Sequence, residues 1–393
     1  MTNSKRILVV GGGIGGTEAS IALRKKGFFV KLISDREFLY IYPLSIWLPT
    51  KEVKLSDISI PLEKIAKGHN FAYEISKVVS IEPNEVVLEN GKIYQKGRDF
   101  DYLVIALGQD KLKPKGVEYT YSICASPEET IKYSMALEIL LEKGKGKLAF
   151  GFGGNPKAKE AVRGGPVFEV LFNIDNILRK KGIRNNFEIS FFAPMEKPGA
   201  RLGEKALKIL DYMFKKKRIK KYTGKKIKEF FPDGILLEDG TKIESDLTLF
   251  TPAGDGHPII KQSQNIPKTE AGFIKIDKTC QVEGLEHVYA IGDCVSLEGP
   301  EWKAKQGHLA EVMAHNVASN IALKEGLIKG EPQYYIDHLN IMCLMDTGDG
   351  GALAYRDDKK AILIPMPIIG HIGKKMWGLY YKLYKTGKIP KIL

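Results

Sequence analysis

Apolar and polar residues at the start of the chain alternate in the order strand, helix, strand. Arg6 to Val10 is a continuous apolar run, Thr17 to Lys26 repeats apolar positions at helical spacing, and Phe29 to Ile33 is a second apolar run. A glycine cluster separates the first run from the helix. This order predicts a βαβ unit at the beginning of the chain.

A second alternation of the same kind begins near the middle of the chain. Lys147 to Phe152 and Phe187 to Ala193 are apolar runs, and the segment from about Pro166 to Lys181 between them has helical periodicity. Hairpin strands near Val78 and Glu85 and an Asp-Gly turn at 239–240 indicate antiparallel additions to the two units. The pattern therefore predicts an α/β protein with two nucleotide-binding-type units.

The glycine cluster has the spacing of a dinucleotide-binding turn. Gly11, Gly13 and Gly16 form G-x-G-x-x-G directly after the first strand and at the start of the helix. The first glycine permits a tight turn, the second lets a pyrophosphate approach the backbone, and the third lets the helix pack on the strand. Asp35 ends the second strand, where an acidic side chain accepts hydrogen bonds from ribose hydroxyls. These features predict a bound dinucleotide.

Composition narrows the class of protein without deciding its chemistry. The chain has 393 residues, 44% of them hydrophobic and 27% charged, which indicates a globular protein of more than one domain. The net charge is +13, and we assign the basic run at 215–221 to a solvated face, so no nucleic-acid partner is predicted. The four cysteines form no CxxC pair and no zinc pattern, so no metal is predicted. We also expect neither a signal peptide nor a membrane span.

Two later segments indicate which dinucleotide binds. His287 to Asp293 is a short apolar strand that closes on Gly292-Asp293, and Tyr102 to Gly108 is a strand that ends on a glycine. Both resemble motifs of flavoproteins with two dinucleotide-binding domains, in which the aspartate accepts a hydrogen bond from the ribityl chain. The resemblance implies that the dinucleotide is FAD. It also implies an FAD domain that returns after the second unit.

The second unit lacks the fingerprint of an NAD site. Its first strand is followed by Gly151-Phe-Gly-Gly154-Asn-Pro156, and the next helix is predicted only from about Gly165. Pro156 falls where a phosphate-binding turn would have to enter its helix. The pattern therefore argues against an enzyme that depends on a pyridine nucleotide.

Further motifs resemble sulfide:quinone oxidoreductase and the flavoprotein of flavocytochrome c sulfide dehydrogenase. They are Ser122-Ile-Cys124, Gly165-Pro-Val-Phe-Glu169, Lys305-Gln-Gly307 and Cys343-Leu-Met-Asp-Thr-Gly348. The similarity covers nearly the whole chain. It implies that sulfide or polysulfide donates electrons, that a cysteine thiolate takes up the sulfur, and that the reduced flavin passes two electrons to a quinone.

The resemblance also assigns roles to four residues. Cys343 is expected to be the redox cysteine, with Cys124 close to the flavin and Lys305 placing positive charge at its N1/O2 edge. Glu169 is expected to handle protons; the alternative is a carboxylate that complements its helix dipole. The expected FAD contacts are Gly11, Gly13, Gly15, Gly16, Asp35, Pro43, Val78, Ala106, Gly108, Gly292, Asp293, Lys305 and Gly307.

The chain departs from the family pattern at the second redox cysteine. Arg163 stands near that position, and Glu128 and Arg201 stand near the family's proton-handling histidines. Three interpretations stay open: Cys124 partners Cys343, a single cysteine works with an external sulfur acceptor, or the reaction has changed. An arginine at this position is also suited to bind an anion.

The last segment predicts contact with a membrane surface. Residues 374–393 carry six lysines and no acid, and Met376, Trp377, Tyr380, Leu383 and Tyr384 fall on one side of a helix. The alternative is a helix that packs on the protein's own core. We predict FAD-binding parts at 1–110 and 256–330, a second Rossmann-like domain at 111–255, and a docking region at 331–393. A homo-oligomer is possible.

Two rival functions follow from the same residues. The first is a type II NADH:quinone dehydrogenase, against which the second glycine segment and Cys343 argue. The second is a flavin-binding subunit without turnover, which the missing second cysteine favours.

Overall fold

The structure is a computed structural model that describes residues 4–392, so Met1 to Asn3 and Leu393 of the predicted segments lie outside it. The first unit contains the helices and strands up to the first crossing between the two units: β1 (Arg6–Val10), α1 (Ile14–Lys25), β2 (Phe29–Ser34), β3 (Phe38–Tyr40), β4 (Ser59–Pro61), α2 (Leu62–His69), β5 (Ala72–Ile75), β6 (Val78–Glu82), β7 (Glu85–Leu88), β8 (Ile93–Gln95), β9 (Tyr102–Ile105) and β10 (Asp110–Lys111).

The second unit follows without interruption. Its elements are α3 (Pro127–Lys143), β11 (Gly146–Phe152), α4 (Gly165–Lys180), β12 (Phe187–Ala193), α5 (Glu204–Lys216), β13 (Ile219–Thr223), β14 (Ile227–Phe231), β15 (Gly234–Leu237), β16 (Lys242–Glu244), β17 (Leu247–Thr251) and β18 (Gly254–Asp255). The remaining elements are α6 (Pro258–Gln262), β19 (Val288–Ala290), α7 (Gly307–Lys324), β20 (Ile341–Asp346), β21 (Gly351–Arg356), β22 (Ala361–Pro365) and α8 (Ile369–Lys385).

Two parallel sheets form the centres of the two units. One has the order β19-β9-β1-β2-β5, and the other has the order β13-β12-β11-β17. The strands β1, β9, β11, β12, β17 and β19 are mostly apolar and buried, whereas the edge strands β5 and β13 are largely exposed. The predicted α/β architecture with two Rossmann-like units is confirmed.

The chain leaves the first sheet and later returns to it. β19 pairs with β9 in parallel, although the whole second unit lies between them in sequence. The crossing is marked by the short antiparallel pair β10 and β18, where Asp110 lies opposite Asp255. The domain boundaries at 110, 255 and 330 stay predictions, and two of them fall at or beside this pair.

The last part of the chain is a three-stranded antiparallel sheet, β20-β21-β22, followed by α8. Residues 361–372 of the predicted docking region are therefore the strand β22, a turn and the first residues of the helix. In the part of the chain that the structure describes, no helix is long and apolar enough to cross a membrane.

The predicted docking face of α8 agrees with the structure only in part. Tyr381, Tyr384 and Lys385 are buried against α1 and α7, and Lys374 is buried against Glu169 of α4. Of the predicted face, Met376 is exposed and Tyr384 is buried, while Ile369, Ile372 and Leu379 are further exposed apolar side chains of α8. Tyr384 is amphipathic, and its hydroxyl has a partner inside the protein.

Candidate functional site

The glycine turn between β1 and α1 is tight enough to exclude side chains at two of its positions. Gly11 has φ +110°, and a Cβ there would lie 2.3 Å from the carbonyl oxygen of Ala106. A Cβ on Gly16 would lie 1.8 Å from the carbonyl oxygen of Gly11. These contacts fix the start of α1 against the ends of β1 and β9, as a phosphate-binding turn requires.

Gly13 has a different role in the turn. Of the residues that the structure describes, none has an atom within 4 Å of a Cβ built on Gly13, and its φ of −78° is open to any residue. Its lack of a side chain therefore leaves free space in front of the first N–H groups of α1. Such a space, at the positive end of a helix dipole, is suited to a pyrophosphate.

Polar atoms around this turn point to a ligand with hydrogen-bonding groups. Asp35 follows β2 with an exposed carboxylate, 3.7 Å from Nε of Arg36. Gln109 follows Gly108, and within residues 4–392 neither polar atom of its buried amide has a partner. Buried amides without partners are rare in native proteins, so these atoms fit a polar ligand along the edge of the sheet.

The second motif brings Asp293 to the same region. Gly292 and Asp293 form a short 3₁₀ turn directly after β19. Nη2 of Arg163 donates to the carboxylate of Asp293, while Nε of Arg163 is buried and lacks a partner among the described residues. The residue that replaces the expected second cysteine is therefore in contact with a predicted FAD residue from the other unit.

Lys305 lies behind Asp293 and is buried. Its Nζ donates to the carbonyl oxygens of Asp293 at 2.8 Å and Val295 at 2.6 Å, and it lies 3.3 Å from the centroid of the Phe273 ring. Burial lowers the pKa of Lys305 to about 7, and the charge of Arg163 lowers it further. Burial also lowers the pKa of Lys111 to about 8, again with Arg163 as a contributor. Arg163 and these two lysines thus give the region a concentrated positive charge.

Cys343 lies on β20 beside a buried ion pair. Cys343 is half-buried and packs against the buried cluster of Ala206, Ala354 and Leu363. Burial raises the pKa of its thiol to about 12; the negative charge of Glu169 also raises this pKa and Lys374 lowers it. These surroundings favour the thiol over the thiolate, so the sulfur needs a base before it can react.

Glu169 is the acidic group next to that thiol. It is buried on α4, it pairs with the buried Nζ of Lys374, and its Oε1 accepts from the backbone N–H of Asp346 at 2.8 Å. Burial raises the pKa of Glu169, and Lys374 offsets part of this effect. A buried carboxylate with a raised pKa beside a thiol has the properties of a general base.

The sequence did not predict the polar cluster around Asp346. Its fully buried carboxylate accepts from Trp47 Nε1 at 2.8 Å, Asn173 Nδ2 at 2.9 Å and the N–H of Gly348 at 3.2 Å. Asp346 belongs to the quoted cysteine motif, but its partners come from distant segments. Lys374 was also missed as a site residue, because a lysine in a basic tail has no sequence signal of burial.

One helix connects the two parts of the site. Arg163 precedes α4 by two residues and contacts Asp293, while Glu169 lies in the second turn of α4 and faces Cys343. Six residues at the rise of a helix span about 9 Å. The beginning of α4 therefore connects the region of Asp293 to the region of Cys343.

The other predicted site residues lie on several different elements. Pro43 lies in the 3₁₀ segment Tyr42–Trp47 that carries Trp47, Val78 begins β6, and Gly307 begins α7 beside Ile14. Gly15 lies in the first turn of α1, in van der Waals range of Ala310 and Ile291. Cys124 is buried and near Lys111, whose pKa it raises slightly. All four cysteines are unpaired, so no disulfide joins Cys124 to Cys343 in this structure.

Comparison with known proteins agrees with this geometry. The family described as pyridine nucleotide-disulphide oxidoreductase matches residues 5–318, which include both parallel sheets. The chain belongs to this family. Its match ends before β20 and α8, so the segment with Cys343 lies outside the part that defines the family.

Individual members extend the likeness to the end of the chain. This pyridine nucleotide-disulphide oxidoreductase is 25% identical over 410 residues to a protein named sulfide-quinone reductase from Aquifex aeolicus, covering 96% of this chain and 89% of that protein. It is 22% identical over 356 residues to a type II NADH:quinone oxidoreductase from Haemophilus influenzae, covering 81% and 80%. The solved sulfide:quinone oxidoreductase of Aquifex aeolicus has the same fold, with a TM-score of 0.85 at 22% identity over 99% of this chain and 93% of that one.

Proposed function

We propose that this oxidoreductase binds FAD, takes electrons from sulfide or polysulfide through Cys343, and delivers them to a quinone. The observation that carries the proposal is the position of Cys343 on β20, where the charges of the buried Glu169–Lys374 pair act on its thiol, together with the Arg163–Asp293 contact six residues before Glu169. The chain's likeness to a protein named sulfide-quinone reductase over 96% of its length supports the same donor and acceptor.

The residues around the glycine turn fit FAD. The free space at Gly13 suits the pyrophosphate, the carboxylate of Asp35 suits the adenosine ribose, and the unpartnered amide of Gln109 suits a polar edge of the ligand. When bound, FAD would supply two-electron chemistry between the sulfur donor and the quinone. The positive charges of Arg163, Lys305 and Lys111 would stabilise an anionic reduced cofactor.

Cys343 would take up the sulfur of sulfide as a persulfide: Glu169 would accept the thiol proton, and the two electrons released as the S–S bond forms would go to the bound FAD. The thiol must lose its proton to react, and Glu169 is the carboxylate whose charge already acts on it. Arg163 cannot replace a second redox cysteine. The structure has Arg163 bound to Asp293 instead, which favours a single redox cysteine that passes its sulfur to an external acceptor over a Cys124–Cys343 pair.

The outward face of α8 would dock on a membrane that holds the quinone. Ile369, Ile372, Met376 and Leu379 form an exposed apolar stripe at helical spacing, and Ile368 extends it at the preceding turn with φ +63°. A β-branched residue in that conformation costs about 1 to 3 kcal/mol, so its exposed side chain is held outward at an energetic cost. Lys375, Lys382 and Lys388 flank the stripe, where each could add about 1 kcal/mol towards anionic lipid.

Two matched double variants test this docking. Ile372→Glu with Met376→Glu should abolish co-flotation with vesicles of phosphatidylcholine and phosphatidylglycerol. Met135→Glu with Ile139→Glu has the same spacing and similar exposure on α3, and should leave it unchanged. Equal flotation of both variants would refute docking through α8.

The function itself is tested by two half-reactions under anaerobic conditions. Sulfide should bleach the flavin absorbance of the purified protein, and a water-soluble ubiquinone analogue should then restore it. If sulfide bleached the flavin but the quinone did not reoxidise it, sulfide would remain the proposed donor and the quinone would be excluded as the acceptor. If sulfide did not reduce the flavin, the proposal as a whole would be refuted.

The competing function is NADH:quinone reduction. It is favoured by the likeness to a type II NADH:quinone oxidoreductase at 22% identity. It requires a nicotinamide nucleotide on the second unit, where a long connection replaces a compact phosphate-binding turn between β11 and α4.

A further inference from the structure

A series of titratable side chains leads from the buried Glu169 to the protein surface. Most of these side chains have no role in the function proposed above. His371 lies on the first turn of α8, one helical turn before Lys374, the partner of Glu169. Its Nδ1 lies 2.8 Å from Oδ1 of the buried Asp346, and its Nε2 lies 3.2 Å from Oε2 of Glu52. His371 therefore bridges a buried carboxylate and one near the surface.

The geometry on both sides of His371 is well defined. On the inner side, Asp346 is held by Trp47, Asn173 and the N–H of Gly348, and the N–H of Asp346 itself donates to Glu169. On the outer side, Glu52 also pairs with the exposed Lys375 at 2.9 Å. The ring of His371 packs edge-on against Trp47 at 5.3 Å between centroids, which fixes its plane.

We propose that His371, held between Asp346 and Glu52, is the outlet through which the proton of Cys343 reaches solvent. The inference rests on the proposed function, because it assumes that Cys343 reacts as a thiolate. It adds a path and three residues, Asp346, His371 and Glu52, to the chemistry of that site.

The proton balance of the path is simple. The S–H bond of Cys343 breaks, its electron pair stays on sulfur, and the proton moves to a carboxylate oxygen of Glu169. The proton then passes to the carboxylate of Asp346, whose backbone N–H donates to Oε1 of Glu169, and on to Nδ1 of His371. Release from Nε2 to Glu52 and water returns each group to its starting ionisation, so the relay consumes no other reactant.

The surroundings of the relay support a path to solvent over a purely structural cluster. Lys374 and Asp346 are the charged groups that face Glu169, and Asp346, Glu52 and the nearby Lys375 are those that face His371. Exposure increases along the series, since the side chain of Asp346 is 0% exposed, that of His371 18% and that of Glu52 25%. A cluster needed only for packing would not require the exposed fraction of its side chains to increase in order from a buried acid to solvent.

The chain contains a matched control for this arrangement. His315 on α7 also contacts a fully buried carboxylate, with its Nε2 2.6 Å from Oε1 of Glu18. That carboxylate also accepts from Lys385 and Tyr384, so it anchors the other end of α8. Replacing His315 tests the loss of a histidine–carboxylate contact under α8 without touching the relay.

The test compares His371→Gln, Glu52→Gln and His315→Gln by stopped-flow reduction of the bound flavin with sulfide. His371→Gln should slow reduction about tenfold or more at pH 7, steepen its dependence on pH and raise the solvent deuterium isotope effect. Added imidazole should restore the rate. Glu52→Gln should show a smaller loss in the same direction, and His315→Gln should match the wild type.

The contrary outcomes are distinct from failure of the proposed function. A His371→Gln protein with the wild-type rate and pH profile would overturn the relay, as would an equal loss in His315→Gln, which would mean that α8 packing sets the rate. A slow His371→Gln protein that imidazole does not restore, with a wild-type Glu52→Gln, would also count against it. Loss of sulfide reduction in Cys343→Ser is read separately and tests only the proposed function.

Discussion

The two glycine-rich turns of this protein follow equivalent strands, yet they are used in opposite ways. In the first unit β1 ends at Val10 and α1 begins at Ile14, and the space at Gly13 is open. In the second unit β11 ends at Phe152, and α4 begins only at Gly165. The same fold therefore supports a compact phosphate-binding turn in one unit and a long connection in the other.

The glycines of the second turn accommodate the protein's own side chains. A Cβ on Gly151 would lie 2.5 Å from the Phe192 ring, and one on Gly164 would lie 2.6 Å from the Phe152 ring. Asn155 in this connection bonds to the carbonyl oxygen of Gly254 at 2.9 Å. The second unit therefore has no compact turn between strand and helix, and the glycines before α4 pack against aromatic rings of the protein itself.

The long connection between β11 and α4 contacts the part of the chain that returns to the first unit. Glu160 accepts from the N–H of Lys305 at 3.3 Å, and Arg163 contacts Asp293. Both partners belong to the part of the chain that returns to the first unit. The second unit therefore lacks the compact turn of a nucleotide site, and residues of its long connection contact the first unit instead.

The largest expected effect concerns the choice of reductant. Because a long connection replaces the compact phosphate-binding turn in the second unit, NADH should reduce the bound flavin at least about a hundredfold more slowly than sulfide, as expected for a donor without a positioning site. Anaerobic stopped-flow mixing measures both rates. Prompt bleaching by NADH, accompanied by a rise in melting temperature on adding NAD⁺, would contradict the claim that the second unit has no nucleotide site.

A pair of glycine substitutions tests the two turns directly. Gly13→Ala adds a methyl group to the open space and should weaken FAD binding by at least about tenfold, or 1.4 kcal/mol. Gly165→Ala, also with no described atom within 4 Å of its new Cβ, should leave FAD binding unchanged. Flavin fluorescence released on dilution measures both. Equal retention of FAD by the two variants would mean that Gly13 does not face the cofactor.

A smaller effect should appear in the stability of the apoprotein. Burial lowers the pKa of Lys305 to about 7, so above that pH the unfolded chain, with its ordinary value near 10.5, binds more protons. The contribution of Lys305 to stability should therefore rise with pH by up to about 1.4 kcal/mol per unit between pH 7 and 10. Urea unfolding of wild type minus Lys305→Met isolates this slope. A pH-independent difference would contradict the buried, proton-losing lysine.

Local pattern was sufficient to predict the first turn and most of the parallel strands. The strands at 6–10 and 187–193 have the predicted bounds, because continuous apolar runs are local signals. The Gly11–Gly16 turn is likewise specified by its own residues. For these elements tertiary contacts agree with local preference.

The polar half of the site was beyond sequence reasoning. Lys374 and Lys385 are buried because the fold packs α8 against α4 and α1, where Glu169 and Glu18 pair with them. These partners are 205 and 367 positions away in the sequence, so no local pattern indicates the burial. The contact between Arg163 and Asp293 is also a product of the fold, since 130 positions separate them. Composition assigns lysine to the surface, and only three-dimensional pairing reverses that assignment.

The central claim is that the sulfur of Cys343 receives electrons from sulfide and passes them on. Anaerobic sulfide reduction of the flavin should be lost by at least about a hundredfold in Cys343→Ser, because a hydroxyl cannot replace the thiolate nucleophile. It should persist in Cys280→Ala, in which another buried cysteine is removed. Reduction of the Cys343→Ser protein at the wild-type rate, with its FAD still bound, would contradict the account.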